Sequence, residues 1–406
     1  MDMELKGKCV LLGVTGGIAA YKMAGVASAL KKRGADVEVI MTRNATQFIT
    51  PITFETLTGH KCMVDTFDRD FKFEVTHIEL AKKADVILVA PATANVIAKM
   101  AHGIADDMLT TTVLAARCPK LVSPAMNTGM LENPITQDNI RTLEKYGFTI
   151  IPSESGQLAC HDVGKGRLPA DEVLLDYVAR AMAPKDLAGL RVAVTAGPTQ
   201  EAIDPVRCLT NHSTGKMGYA VARAAALRGA DVTLIHGPTA LAPLRFVRDV
   251  PVTSAQEMFE AASAAFVHAD AAILTAAVAD YTPEQVADEK IKREKTGEMS
   301  LNLKPTRDIA AFLGNLKNDT EHQRRLLVGF ALETHNEQMN AEDKLNRKNL
   351  DFIVLNSLND KGAGFRCDTN KISIIDHQGK TDYPLKSKAE VAADIVDRLV
   401  KDLNSK

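Results

Sequence analysis

Short apolar runs alternate along the chain with longer segments of helical period. Lys8-Cys9-Val10-Leu11-Leu12-Gly13-Val14 is apolar without alternation, as in a strand buried on both faces. A glycine turn and a helix to about Arg33 follow it, and Asp36–Met41 is the next strand. The pattern then predicts a helix over 51–59, a polar stretch to Val75, and a short helix opening at Thr76. A strand at 85–90 follows, then a long helix and a Thr-rich turn through Gly103 to Ala116. Strands at 121–122 and 148–151 alternate with helices at 135–146 and 171–182. After a linker at 184–189 the pattern restarts. Strands are expected at 190–195, 232–236, 271–275, 326–331, 352–355 and 371–375, with a hairpin arm at 299–303. Helices are expected at 219–228, 254–267, 337–348 and 387–402. Arg33-Gly34-Ala35-Asp36-Val37 is echoed by Arg228-Gly229-Ala230-Asp231-Val232, each before a strand. The expected fold class is α/β, with two domains at 1–183 and 184–406 and mainly parallel sheets.

One stretch has neither period. Ser155 to Leu168 sets Cys160 among glycines, His161, Asp162, Lys165 and Arg167, and reads as a mobile loop. A thiol beside cations on a loop suits thiolate or proton-transfer chemistry, and an ordinary loop cysteine is the plainer reading. The other cysteines, Cys9, Cys62, Cys118, Cys208 and Cys367, are scattered without metal spacing, as in a reducing compartment. A 406-residue chain suits two domains, and 46% apolar with 25% charged residues is ordinary for a soluble protein. A net charge of -2 makes no case for nucleic acid or an anionic membrane. The first residues have no signal-peptide character and no apolar run is long enough to span a bilayer, so a cytoplasmic location is expected.

The turn Thr15-Gly16-Gly17-Ile18 between strand and helix presents amides as a phosphate site would, or is a tight turn with no ligand. Its spacing lacks the dinucleotide fingerprint. Thr42, Ala92-Thr93-Ala94-Asn95 and Asn127 follow other strands and should gather at the same sheet edge. His77 opens a helix, where it is either structural or catalytic. In the second half, 204–218 is a polar, glycine-bearing loop of the kind that meets an anion. Arg207, Lys216, Lys290, Lys292, Lys344 and Lys348 form either a solvated basic face or a clamp on a triphosphate and a phosphorylated substrate.

Together these motifs resemble the family of bacterial bifunctional coenzyme A biosynthesis proteins, phosphopantothenoylcysteine decarboxylase fused to phosphopantothenate–cysteine ligase. The likeness rests on 13–22, His77-Ile78-Glu79-Leu80, 91–95, 124–130 and the Cys160 loop. In the second half it rests on 196–199, 203–207, 211–218, 276–281 and Lys290-Ile291-Lys292. The resemblance implies a flavodoxin-like N-terminal flavoprotein domain and a Rossmann-like ligase domain. It implies FMN held by Thr15, Gly16, Gly17, Ile18, Thr42, Ala92, Thr93, Ala125 and Met126. His77 corresponds to the catalytic histidine, Asn127 to the asparagine on the substrate carboxylate, and Cys160 to the proton-donating thiol.

For the ligase, the resemblance implies activation of 4'-phosphopantothenate by CTP with Mg2+, through an acyl-cytidylate that cysteine then attacks. Asn211 would hold the acyl-cytidylate, Lys290 would bear on the nucleotide phosphates, and Arg207 would sit close to the intermediate. Leu274, Thr275, Ala276, Asp280, Arg307, Asp308, Ile309, Ala310, Phe330, Lys344 and Lys348 match nucleotide-contacting positions. Trimers of the first domain and dimers of the second are implied, giving a homo-oligomer. Thr214 stands where serine is usual, Cys208 at a usually aromatic position, Asp106 where asparagine is common, and His161 and Lys165 where small residues are. A non-catalytic flavin-binding regulatory subunit is the rival on the same fold. Intact His77, Asn127 and Cys160 argue against it.

Overall fold

The computed structural model describes residues 4–67, 76–157, 159, 162–292, 299–317, 325–357, 359, 362, 364 and 367–405. They form two compact units, Met1–Ala183 and Pro184–Lys406, each with its own apolar core.

In the first unit, β1 (Cys9–Val14), β2 (Asp36–Met41), β3 (Val86–Ala92), β4 (Lys120–Pro124) and β5 (Thr149–Ile150) form one parallel sheet. Its order is β2-β1-β3-β4-β5. All residues of β1 and β3 are buried, which explains their unbroken apolar sequence. Chain direction across the sheet reverses between β1 and β3, and open α/β sheets have their ligand crevice at that switch point, outside the carboxyl ends of the strands.

The stretch expected as a long helix and a Thr-rich turn to Ala116 is two helices, Ala94–His102 and Met108–Ala115. Asp107 starts the second by accepting the Thr110 N–H in a capping box.

The segment expected as a loop around Cys160 is a hairpin instead. Its arms β6 (Glu154–Gln157) and β7 (Val163–Arg167) pair antiparallel, Gly156 opposite Gly164. The less exposed positions are Glu154, Gly156, Gly164 and Gly166. A face made mostly of glycine gives no apolar alternation, so the strand period was silent.

Among the described residues the second unit has an eight-stranded sheet and three two-stranded ribbons. In chain order its strands are β8 (Arg191–Ala196), β9 (Gln200–Ala202), β10 (Cys208–Thr210), β11 (Asp231–His236), β12 (Val247–Pro251), β13 (Ala271–Leu274) and β14 (Tyr281–Pro283). They continue with β15 (Leu303–Pro305), β16 (Leu326–Glu333), β17 (Phe352–Ser357), β18 (Thr369–Asn370), β19 (Ile372–Asp376), β20 (Gly379–Asp382) and β21 (Lys386–Ser387). The sheet order is β12-β11-β8-β13-β16-β17-β19-β20, with parallel pairing as far as β17 and antiparallel pairing beyond it. The edge strands β12, mostly exposed, and β20, exposed throughout, have weak apolar patterns and were not foreseen. The hairpin arm expected at 299–303 enters a strand only at Leu303, as β15 against β14, with Asn302 O accepting the Glu284 N–H just before it.

The last helix, Lys388–Asn404, buries Lys388, Val391, Ala392, Ile395, Val396 and Leu399. That is one helical stripe, begun by a lysine.

Candidate functional site

In the first unit the loops after β1, β3 and β4 meet at the carboxyl edge of the sheet. Thr15, fully buried, donates from Oγ1 to Pro91 O at 2.6 Å and accepts the Thr93 N–H at 3.0 Å. This hydroxyl therefore joins the β1 and β3 loops. Gly16 lies against the loop after β2, where a Cβ would come 2.3 Å from Asn44 Cβ, so no side chain fits. Thr42 is buried and accepts the Ala45 N–H, whereas Ile18 stands on the rim, 57% exposed. Thr93 caps the helix Ala94–His102 through Val96 N. Ala125 N donates to Ala92 O at 3.1 Å and Met126 N donates to Gly166 O at 3.0 Å. The hairpin is thereby seated on the β4 loop.

Asn127 Oδ1 accepts the Gly129 N–H at 2.9 Å, which directs Nδ2 to the other side, where it donates to Asp162 Oδ2 at 3.3 Å. Asn127 thus presents a donor, as a carboxylate ligand requires. His77 lies in the first turn of the helix Thr76–Lys83, which feeds the amino end of β3. Such a helix runs against its strand, so its first residues lie toward the carboxyl edge. Cys160, with Leu158 and His161, lies outside the described residues.

In the second unit a cavity of about 840 Å³ opens at the carboxyl ends of the parallel strands. Leu274 at the end of β13, Thr275 and Ala276 after it, Asp280, Arg307 to Ala310, and Phe330 on β16 line it, as do Lys344 and Lys348 from the helix Glu337–Arg347 and its cap. Asn211 lines it too, with Nδ2 donating to Ala277 O at 3.0 Å and Val278 O at 3.3 Å. Both partners are acceptors, so Asn211 has Oδ1 left to offer a ligand. Lys344 pairs with Glu333 at 2.6 Å and Lys348 with Asp308 at 3.0 Å. Burial opposes the Asp308 carboxylate, yet the Ala311 N–H and the Lys348 ammonium bring its pKa below the ordinary value.

Two proposed ligase residues are not among the cavity-lining residues. Lys290 is exposed on the segment next to Ile291. Arg207 grips Asp204 through Nε at 2.9 Å and through Nη2, and Nη2 also donates to Ile291 O at 2.9 Å.

Conversely, the cavity gains residues that sequence reasoning missed. Lys388, 7% exposed, donates from Nζ to Gly364 O at 3.0 Å and Cys367 O at 2.5 Å. Burial and then the nearby Lys216 charge lower its pKa. Its place at the head of an apolar stripe, 388-391-392-395, was the available signal.

Among the described residues, Asp36, Glu38 and His60 form a group that could hold a metal ion. It starts at the amino end of β2, away from the crevice edge, and Lys83 reaches Asp36 at 2.9 Å and Glu38 at 2.5 Å. The lysine supplies the positive charge there, as in an ordinary ion-pair network.

Comparison with known proteins adds findings of three kinds: family models, relatives and a solved structure. Residues 2–183 match the Flavoprotein family, and 187–403 match the family described as DNA/pantothenate metabolism flavoprotein C-terminal domain. A coenzyme A biosynthesis bifunctional protein CoaBC of Bacillus subtilis (strain 168) is 46% identical over 400 residues, covering 97% of each chain. A cysteine/cysteine sulfinic acid decarboxylase of an unidentified prokaryote is 49% identical over 359 residues, 87% of this chain and 99% of that one. A solved C-terminal domain of a CoaBC protein is 39% identical over 55% of this chain and all of that one, with a TM-score of 0.46.

Proposed function

The chain belongs to the family of bifunctional coenzyme A biosynthesis proteins, and from that membership we propose how its residues divide the work. The protein is an enzyme with two activities, a flavin-dependent decarboxylase and a ligase. The first unit decarboxylates phosphopantothenoylcysteine to 4'-phosphopantetheine, and the second joins cysteine to 4'-phosphopantothenate.

The crevice in the first unit fits FMN. Buried hydroxyls of Thr15 and Thr42 brace loops whose rim, at Gly16, Gly17, Ile18, Thr93, Ala125 and Met126, stays at least partly exposed at the sheet edge, while Ala92 is buried. Bound there, FMN supplies the electron sink that loss of carbon dioxide needs. Asn127 Nδ2 orients the substrate carboxylate, His77 serves the reaction from its helix start, and Cys160 Sγ returns a proton to the product.

In the second unit the substrate carboxylate attacks the α-phosphorus of CTP and pyrophosphate departs. The amine of cysteine then attacks the acyl carbon and CMP leaves. Arg307, Lys344 and Lys348 meet the nucleotide, and Lys290 neutralises phosphate charge. The triphosphate would carry Mg2+, which would neutralise its charge, and Asp280 is an exposed carboxylate of the cavity lining. Asn211 Oδ1 accepts a hydrogen bond from the reacting ligand. The single observation supporting this reading is the convergence of Asn211, 274–276, 307–310, Lys344 and Lys348 on one cavity. Assembly through trimers of the first unit and dimers of the second, in the cytoplasm, completes the proposal.

The test is incubation with 4'-phosphopantothenate, cysteine and CTP, with mass detection of both products. Phosphopantothenoylcysteine and then 4'-phosphopantetheine are expected. Binding of FMN with neither product would favour the regulatory-subunit reading, and carbon dioxide released from free cysteine alone would favour a cysteine decarboxylase. Asn211→Asp sets a carboxylate oxygen against Ala277 O and Val278 O, where acceptors repel. It is expected to lower ligation at least a hundredfold while decarboxylation of supplied phosphopantothenoylcysteine continues. Unchanged ligation would remove Asn211 from the site.

A further inference from the structure

The Asp204 side chain is fully buried, yet it carries a charge and lies outside the cavity lining. Its Oδ1 accepts the N–H groups of Val206 and Arg207, each at 2.8 Å, which closes a local turn. That turn needs only one oxygen. Oδ2 accepts from the Arg207 guanidinium, through Nε at 2.9 Å and Nη2, and from Ile291 N at 3.1 Å. Arg207 Nη2 also donates to Ile291 O at 2.9 Å. One ion pair therefore holds both backbone polar groups of a residue 84 to 87 positions away along the chain. Ala287 N adds a third tie, donating to Ile203 O at 3.0 Å.

Ile291 lies in no strand or helix, so no sheet partner would otherwise fix it. Lys290 is the residue before it. A lysine on an unpaired segment must lose backbone as well as rotamer freedom to act at one point. A buried carboxylate with a planar guanidinium removes the backbone part beforehand, because the two-pronged geometry fixes direction as well as distance.

We propose that the Asp204–Arg207 pair is a clamp that positions Lys290 for the ligase reaction, an inference resting on the reading of Lys290 given above. Asp204 is a positioning residue, acting through Arg207 and Ile291 rather than on substrate. Arg207 serves the intermediate by holding the segment that carries Lys290.

The experiment is a double-mutant cycle in the full-length enzyme, with the thermal melt of the second unit as the folding control, because that unit has its own core. Lys290→Gln, Asp204→Asn and Arg207→Lys are made singly, and each clamp variant is also combined with Lys290→Gln. Asp204→Asn turns an acceptor into a donor facing donors. Arg207→Lys keeps the charge and the Asp204 turn but loses the fork, so it remains informative if Asp204→Asn misfolds. Each clamp variant is expected to lower kcat for ligation at least tenfold and to change KM for CTP less than threefold. In the Lys290→Gln background the same change should cost less than twofold, because the positioned group is already gone. Trypsin should also cut after Lys290 and Lys292 faster in the clamp variants than in the wild type. Full multiplication of the two losses would overturn the clamp, as would wild-type ligation by both clamp variants. Wild-type ligation by Lys290→Gln would instead remove the premise, and the proposal with it.

Discussion

Burial sets the chemistry of individual side chains here. Burial pushes the Cys9 and Cys62 thiols up to about 12, so almost none of either is thiolate near neutrality. Cys208 is exposed. Brief alkylation of the native protein at about pH 8, read by peptide mapping, is expected to label Cys208 and leave Cys9 and Cys62 unmodified. Modification of Cys9 or Cys62 before unfolding would contradict their burial. The two site asparagines show what position adds to residue type. Asn127 has Oδ1 occupied by Gly129 N and offers a donor, whereas Asn211 has Nδ2 occupied by two carbonyls and offers an acceptor. Identical amides take opposite roles because each is fixed by its local backbone.

Among the elements, the hairpin of β6 and β7 departs furthest from its sequence pattern. Its glycines permit contact rather than motion. Gly166 has φ +127°, and a Cβ there would lie 2.1 Å from Met126 O. Gly166→Ala therefore forces the hairpin off the β4 loop, at a local cost of order 1–3 kcal/mol. Decarboxylation is expected to fall at least tenfold with ligation unchanged, measured by separate assays of the two half-reactions. Retained decarboxylation would show that the seating of the hairpin does not matter. Buried strands and the amphipathic helices were legible because their periods record local burial. The final helix was legible in extent, but not the lysine at the head of its apolar stripe. A cation at an apolar position has meaning only once the cavity beside it is known.

Across the whole chain, carboxylates of the second unit tie distant segments together. Hydrogen bonds from Arg207, foremost, and from backbone N–H groups hold Asp204 far below its ordinary 3.8. Arg228 lowers the pKa of Asp186, and Lys216 that of Asp368. A group with a depressed native pKa binds fewer protons folded than unfolded. Its stabilisation is therefore complete above the unfolded pKa and is lost as pH falls through the native one. Thermal melts of the ligase transition are expected to change little between about pH 5 and pH 8 on account of these groups, and to fall below about pH 4. A steep loss that begins near neutrality would assign the acid sensitivity to other groups. By itself the sequence determined an α/β chain of buried parallel strands, glycine-bearing loops at their carboxyl ends, and the motifs that carry the family resemblance. These are properties of neighbouring residues, and the hydrophobic effect writes them locally. The tertiary structure alone decided that Arg207 grips Asp204 and Ile291 rather than lining the cavity, that Lys388 faces it, and which end of each asparagine amide is presented. Those arrangements are hydrogen bonds and ion pairs between segments tens of residues apart, and no local period encodes them.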